Sequence, residues 1–307
     1  ITRPTSEYRG QASFTDGTIV IQDYEPMRAD MNTTFRVVGD TLVFDQIDLT
    51  TDGAHSVITG EVDVAHWPEQ FYRIRSQIQL PKMREIFFAR DEFSLSGEGT
   101  FTGTLHLFRE VVNGRARNGR ELSGTFYSAT AGVNAYRFYD LRGSVFWVPE
   151  RVDVTNATTS AYGGTGRFAY RMAPLGDPDV PAHATFDAVY EGVDLEAFTN
   201  FLELDGIRLA GRAEGRNLLD WPLGRYAEHR GGGHFRTSPG EGVEALAREL
   251  SASQLADAEG RSQAWDVFSD HLPLAPVPLE ANLVYTFDPE WVDFGPSRLA
   301  TAETYVE

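Results

Sequence analysis

The stretch "YRIRSQIQL", residues 72–80, decides the fold of this chain. Apolar residues occupy every second position except for one serine, and the positions between them carry Arg or Gln. This period of two is the pattern of a β-strand with one apolar and one polar face. The apolar positions are Tyr72, Ile74, Ile78 and Leu80, and the polar positions are Arg73, Arg75, Gln77 and Gln79.

The same alternation returns in "AHATFDAVYEG", residues 182–192, with Ala184, Phe186, Ala188 and Tyr190 on the apolar side. Turn signals rich in Gly, Asp and Asn separate further strand-like runs. The pattern predicts an all-β protein built mainly from antiparallel strands. The other predicted strands cover residues 17–23, 41–44, 101–108, 124–128, 138–148, 166–171 and 281–287.

Two short helices are predicted, each directly after one of the alternating strands. Pro81 suits a first helical turn, and Ile86 follows it at helical spacing. Asp194 is a predicted N-cap, because its carboxylate can accept hydrogen bonds from the free N–H groups of a first turn. Leu195 and Phe198 form an apolar stripe behind it.

A short sequence motif occurs three times in the chain. "VPERVDV" at 148–154 returns as "DPEWVDF" at 288–294, and "FDQIDLTTDG" at 44–53 has the same outline. Pro149 and Pro289 are expected to set a turn at each later copy. Such repetition indicates a structural unit that is used several times.

The repeats divide the chain into blocks of sheet. We predict blocks over about 8–137, 138–215 and 281–307, with an insertion over 216–279 between the last two. A helix over 239–256 is a candidate within this insertion, because the segment has a capping-box start and apolar residues at helical spacing.

Composition excludes several classes of protein. A formal charge of −18 on 307 residues would repel the phosphates of DNA and RNA, so no nucleic-acid partner is expected. Cysteine is absent, which removes disulfides and thiol chemistry. No apolar run approaches the length of a membrane span. The chain is interpreted as a segment of a longer protein.

No catalytic constellation is recognised. The seven histidines have no HExxH spacing, and no G-x-S-x-G motif occurs. We therefore expect no cofactor and no metal, and the chain is not predicted to be an enzyme. Acidic pairs such as Asp177 with Asp179, or Asp91 with Glu92, leave a glycosidase or a calcium site as the enzymatic or ion-binding alternative.

Three segments together resemble the AsmA-like family of diderm envelope proteins, and most of all its TamB-like branch. They are "GDTLVFDQIDLTTDGAHSVITGEVD" at 39–63, "LRGSVFWVPERVDVTNATTSAYGGTG" at 141–166 and "GVDLEAFTNFLELDGIRLAGRAEG" at 192–215. The resemblance covers most of residues 8–307 apart from the insertion. It implies an elongated, strongly curved antiparallel sheet, a β-taco or repeating β-groove, with a few short helices and an apolar concave face.

The resemblance also implies a function. The chain would be a segment of a bridge across the periplasm, anchored in the inner membrane, that conducts phospholipid or another acyl-chain lipid to the outer membrane or supports its assembly. An outer-membrane barrel or an inner-membrane protein could contact parts of the parent protein outside this segment. The predicted lining of the lipid groove is Tyr72, Ile74, Ile78, Leu80, Phe101, Leu105, Leu107, Val145, Trp147, Ala184, Phe186, Ala188 and Tyr190.

Two other interpretations of the same residues stay open. The apolar faces could form the dry core of a closed β-sandwich, which would make the chain a structural scaffold. The tryptophans Trp147, Trp221 and Trp291 could instead be stacking platforms of a carbohydrate-binding or carbohydrate-active module, although aromatic residues in strands more often serve packing.

Overall fold

A computed structural model describes residues 7–20, 25–87, 93–112, 114–176, 179–201, 209–238, 277–278, 280–300 and 305–306. The protein is all-β, as the alternating sequence pattern predicts, and most of the described residues lie in strands. Within these ranges no helix is long and apolar enough to cross a membrane.

The first half of the chain contains eight strands and one helix. They are β1 (Glu7–Ile19), β2 (Met27–Val38), β3 (Thr41–Thr51), β4 (Ala54–Asp63), β5 (Gln70–Gln79), α1 (Leu80–Phe87), β6 (Leu95–Val112), β7 (Arg115–Val133) and β8 (Tyr136–Val148).

The second half continues with shorter strands. They are β9 (Arg151–Ala161), β10 (Gly164–Ala173), β11 (His183–Asp194), α2 (Leu195–Phe201), β12 (Leu209–Ala210), β13 (Arg212–Pro222), a 3-10 turn (Tyr226–Glu228), β14 (Arg230–Ser238), β15 (Val277–Pro278), β16 (Glu280–Phe287), β17 (Val292–Phe294), β18 (Arg298–Ala300) and β19 (Tyr305–Val306).

Nearly all of these strands belong to one large antiparallel sheet. From β1 to β8, each strand pairs antiparallel with the next one along the chain. β16 pairs with β14, β17 and β18. Separate from the sheet, β12 and β15 form a short parallel pair. The connections β2–β3, β3–β4, β6–β7 and β7–β8 are two-residue hairpin turns, which antiparallel strands allow, whereas α1 lies between β5 and β6.

The chain divides into two compact units. The first comprises residues 1–159, 168–186 and 220–229, and the second comprises 160–167, 187–219 and 230–307. In the second unit, Leu195, Ala213 and Ala281 form a small buried cluster, which is surrounded by partly buried Tyr190, Val193, Leu209, Phe235 and Leu283.

Several strands of the sheet carry bulges or residues with left-handed backbone. The register between β3 and its neighbours shifts at Asp45 and Gln46, and it shifts again in β6 between Glu98 and Thr100. Asp140 and Asn156 have φ values of 52° inside β8 and β9. A bulge adds a residue to one strand, bends that strand and increases its twist. The sheet therefore has built-in bends along several of its strands.

Most of the predicted elements are confirmed. The predicted strands at 41–44, 101–108, 124–128, 138–148, 166–171 and 281–287 lie inside β3, β6, β7, β8, β10 and β16. The strand predicted at 17–23 overlaps β1 only at 17–19, and residues 21–23 lie outside the described residues. β2, β4 and β9 were not predicted as strands.

Both predicted helices are present. Pro81 lies in the first turn of α1, and Asp194 caps α2 by accepting hydrogen bonds from the N–H groups of Glu196 and Ala197 at 3.0 and 3.1 Å. Leu80, expected to end a strand, instead begins α1. Strand β13 runs through Arg216 into the predicted insertion, and the candidate helix at 239–256 lies outside the described residues.

Candidate functional site

The first unit carries an apolar face that crosses eight strands. Residues that pair directly across antiparallel strands point to the same face, so the pairing register groups side chains into rows. One row runs through Gly10, Phe35, Phe44, Gly60, Tyr72, Leu105, Leu122 and Trp147 from β1 to β8.

Two further rows lie beside the first, each displaced by two residues along the strands, except that the bulge in β3 makes the first step there three residues, from Phe44 to Ile47. The second row is Ala12, Thr33, Ile47, Ile58, Ile74, Gly103, Gly124 and Val145. The third row is Phe14, Met31, Leu49, Ser56, Ser76, Phe101, Phe126 and Gly143. The few polar members are satisfied internally, since the Thr33 hydroxyl donates to the Gln46 carbonyl and Ser56 bonds to Ser76.

Glycines in these rows let aromatic rings lie flat against the sheet. A Cβ on Gly60 would collide with the Tyr72 ring, and a Cβ on Gly103 or Gly124 would lie 2.6 Å from the Phe101 ring. Aromatic side chains thus cover the glycines of neighbouring strands. The Phe44 ring lies 6.3 Å from the Tyr72 ring across Gly60, which makes the apolar surface continuous there.

The opposite face of the same strands is polar. The register row that passes through Arg75 contains hydroxyl, amide and charged side chains and a single valine. In order across β1 to β8 these residues are Ser13, Asn32, Asp48, Val57, Arg75, Thr102, Thr125 and Ser144. The sheet of the first unit therefore has one face suited to water and one suited to apolar contact.

The apolar face is only partly covered. Its large side chains, such as Phe35, Tyr72, Ile74, Leu105 and Trp147, keep an intermediate exposure to solvent. Partial burial also raises the pKa of the Tyr72 hydroxyl. In the described part of the chain, the apolar residues of lowest exposure are small; they are Ala29, Ala157, Ala184, Ala213 and Ala281, each at 2% or less.

Most of the predicted lining residues fall on this face in the first unit. Tyr72, Leu105 and Trp147 lie in the first row, Ile74 and Val145 in the second and Phe101 in the third. Ile78 and Leu107 lie on the same face of β5 and β6, beyond these rows. Leu80 does not extend it on a strand, because it belongs to α1.

The predicted residues of β11 divide between the two units. Ala184 is fully buried in the first unit, where Phe186 packs against Phe168 with ring centroids 5.2 Å apart. Ala188 and Tyr190 belong to the second unit. Burial raises the pKa of the Tyr190 hydroxyl far above its ordinary value.

Several residues of the apolar face escaped the sequence analysis. Phe35, Phe44, Ile47, Ile58 and Leu122 are as central to the rows as the predicted residues. The alternation of β4, in which Ile58 and Val62 face one way, is a signal that could have found part of this set. In β3 the bulge at Asp45 breaks the alternation, which hides Phe44 and Ile47 from a search for period two.

An aromatic cluster of the first unit lies at the end of β13. Trp221 is 5% exposed and packs against the rings of Tyr170 and Tyr226, with centroids 6.0 and 5.3 Å away. The Tyr226 ring also meets Phe93 edge-on at 5.9 Å and stacks on His229 at 4.9 Å. The segment 222–229, called the strap here, therefore follows β13 and contacts Phe93, which lies two residues before the start of β6.

A concavity of about 730 Å³ lies elsewhere in the first unit. Its lining includes a register row of the polar face, formed by Thr50, His55, Gln77, Thr100 and Tyr127. Glu98 and Arg137 also line it. Hydroxyl, amide and charged groups share this surface with apolar groups such as Ile78, and no residue of the three apolar rows lines it.

Metal and catalytic geometry is not apparent in the part of the chain that the structure describes. No group of three or more His, Asp or Glu side chains there is placed to hold a metal ion. Histidines form isolated pairs, such as His66 with Asp63 at 2.8 Å, and this hydrogen bond raises the pKa of the imidazole. Of the acidic pairs, Asp91, Glu92 and Asp177 lie outside the described residues.

Comparisons of the chain with protein-family models, with curated proteins and with solved structures found no match. Its function is therefore inferred from the geometry of the apolar face.

Proposed function

We propose that the apolar face of the first unit lines a groove that holds acyl chains, and that the chain is a segment of a bridge carrying phospholipid or a similar lipid across a bacterial envelope. The apolar rows supply the lining and the polar face meets water. The parent protein would be anchored in the inner membrane and serve the outer membrane, as the resemblance to the AsmA-like family implies.

One observation carries this proposal: most large apolar side chains on this face of eight neighbouring strands, with exceptions such as Ile47 and Val62, stay partly exposed, while the apolar residues of lowest exposure are alanines. The two inner faces of a closed sandwich interdigitate at crystal-like density, so its large side chains are the most deeply buried. A surface of Phe, Tyr, Ile and Leu that is left partly open favours an apolar ligand as its cover.

The contact between Tyr226 of the strap and Phe93 favours a curved sheet in the first unit, as the resemblance to the AsmA-like family implies. The two rings lie 5.9 Å apart, although Phe93 precedes β6 and Tyr226 follows β13. A curved sheet would give the apolar face the concave form that a groove requires.

The energetics suit a lipid carrier. Each CH₂ group gains about 0.8 kcal/mol on leaving water, so a 16-carbon chain would cost on the order of 10 kcal/mol to expose. A continuous apolar row offsets this cost all along its length. Such a row does not have to recognise one particular acyl chain. The side chains of Ile, Leu and Phe and the glycines in these rows offer few groups that could discriminate one acyl chain from another.

Photocrosslinking tests the proposal at single residues. A photoreactive amino acid at Ile74 or Leu105 should capture lipid in cells that express the full-length parent, because both side chains face the groove. The same group at Arg75 or Thr102, on the polar face of the same strands, should capture none. Equal capture from the two faces, together with purified protein that carries no lipid in native mass spectrometry, would remove the proposal.

The polar concavity favours carbohydrate binding as a second candidate function. Its hydroxyl and amide groups, beside the 43% exposed ring of Tyr127, match the mixture of hydrogen bonding and stacking that sugars use. A Tyr127→Ala change that abolishes binding to a glycan array would support this function. The lipid proposal predicts no glycan binding at this site.

A further inference from the structure

Two arginines stand side by side at one end of the apolar face. Arg120 pairs with Leu107, and Arg109 pairs with Asn118, on the hairpin of β6 and β7. These registers place Arg109 and Arg120 diagonally on the face that carries the apolar rows. Diagonal neighbours lie about 7–8 Å apart, within reach of long side chains.

Neither arginine forms an ion pair with any residue that the structure describes. Arg117 gives the contrast, because it lies on the other face of the same hairpin and pairs with both Glu110 and Glu150. The chain has 45 acidic residues against 27 basic ones, so carboxylates are not scarce. Two adjacent guanidinium groups without a counter-ion repel each other, and a bound anion would relieve that repulsion.

Arg120 is directed along the apolar rows. Its guanidinium carbon lies 4.6 Å from the centre of the Trp147 ring, and Trp147 belongs to the row that continues through Leu122 and Leu105 to Tyr72. The Nε atom of Arg120 is buried and has no hydrogen-bond partner among the described residues. A buried donor left without an acceptor is costly, and a ligand oxygen would satisfy it.

We propose that Arg109 and Arg120 bind the anionic headgroup of a lipid whose acyl chain lies over Trp147 and along the first apolar row. This rests on the proposed function and names its substrate class: an amphiphile with a phosphate or carboxylate next to its chain. Guanidinium groups form paired hydrogen bonds with either anion, and Trp147 separates the charged end from the apolar path.

Four probes test this site by isothermal titration calorimetry: dodecyl phosphate, dodecanoate, the neutral monododecanoylglycerol and inorganic phosphate. The wild-type protein should bind both anionic amphiphiles more tightly than the neutral one. The double variant Arg109→Gln/Arg120→Gln should weaken anionic binding about tenfold or more, since charged hydrogen bonds are lost, and leave neutral binding within about twofold. Arg75→Gln on the polar face should change neither.

The outcomes separate this inference from the proposed function. Equal anionic binding by the double variant and the wild type would overturn the arginine site while the groove stands. Failure of every amphiphile, the neutral one included, would overturn the groove itself. Binding of inorganic phosphate as tight as that of dodecyl phosphate would show a free-anion site and contradict the lipid assignment. A greater loss for dodecyl phosphate than for dodecanoate would assign a phospholipid, and the reverse a fatty acid.

Discussion

At the scale of single residues, the apolar face depends on glycines that the aromatic rings cover. Gly60 stands between Phe44 and Tyr72 in the first row. A Cβ at this position would collide with the Tyr72 ring and lie 2.7 Å from the Phe71 carbonyl oxygen, which is backbone and cannot turn away. Gly60 is therefore required by close packing of the sheet.

Gly60→Ala should lower the free energy of unfolding by about 1–3 kcal/mol, the usual cost of overpacking. Gly295→Ala is the matched control, because its Cβ would meet Val284 at an ordinary 3.7 Å. Urea denaturation of both variants measures the difference. If Gly60→Ala unfolds at the wild-type urea concentration, the Tyr72 ring does not lie against this glycine.

Sequence alone could predict which residues of a strand share a face, but not which residues meet across strands. The alternation at 72–80 places Tyr72 and Ile74 on one side because the period of a strand is two. That Tyr72 lies over Gly60, or that Arg109 lies beside Arg120, depends on register. Register is set by turns and bulges in neighbouring strands, and no local pattern in "YRIRSQIQL" contains that information.

At the scale of elements, helix caps and turns could be predicted from the sequence, whereas contacts between residues far apart in the chain could not. Asp194 predicts the start of α2 from local chemistry, because its short side chain accepts hydrogen bonds from the N–H groups of Glu196 and Ala197. The repeated phrase shows the limit of this reasoning. Pro149 and Glu150 do form a hairpin turn, but the first copy lies inside β3, where Asp45 and Gln46 form a bulge.

The strap is the element that sequence analysis could least foresee, because Phe93 and Tyr226 are far apart in the chain. Backbone hydrogen bonds lie within it, and Leu223 N–H donates to the Ala182 carbonyl at 2.8 Å. The Tyr226 ring adds contacts with Phe93 and Trp221.

Tyr226→Ala removes the contacts with both Phe93 and Trp221, so the strap should open more often. Amide hydrogen exchange at residues 223–229 should become at least tenfold faster, while the free energy of global unfolding falls by about 2 kcal/mol or less for a partly exposed ring. Arg225→Ala, which loses only an exposed ion pair with Glu228, is the control. Unchanged exchange in Tyr226→Ala would mean that the ring contacts do not hold the strap.

At the scale of the whole molecule, the distribution of charge matches the two faces of the first unit. A net charge of −18 keeps the protein in solution and away from anionic surfaces. Against this background, the apolar rows carry no carboxylate, and the two arginines stand at their end. A negatively charged amphiphile would be repelled by the net negative charge of the protein and attracted to the two arginines. This attraction would orient the ligand in the groove, which the apolar rows alone cannot do.

A charge placed in the apolar rows distinguishes an open groove from a closed core. In a closed core, Ile74→Asp would bury an unpaired carboxylate and lower stability by several kcal/mol, so the protein should unfold or fail to accumulate. In a groove the carboxylate can reach water, since Ile74 is only partly covered. The variant should therefore melt within a few degrees of the wild type and lose most of its binding of dodecyl phosphate. Val57→Asp is the matched control, because Val57 lies on the polar face beside Arg75, and it should keep both stability and binding. Thermal melting with calorimetry decides between the two: a large loss of stability in Ile74→Asp favours the closed core, and a folded variant with full binding removes Ile74 from the lipid path.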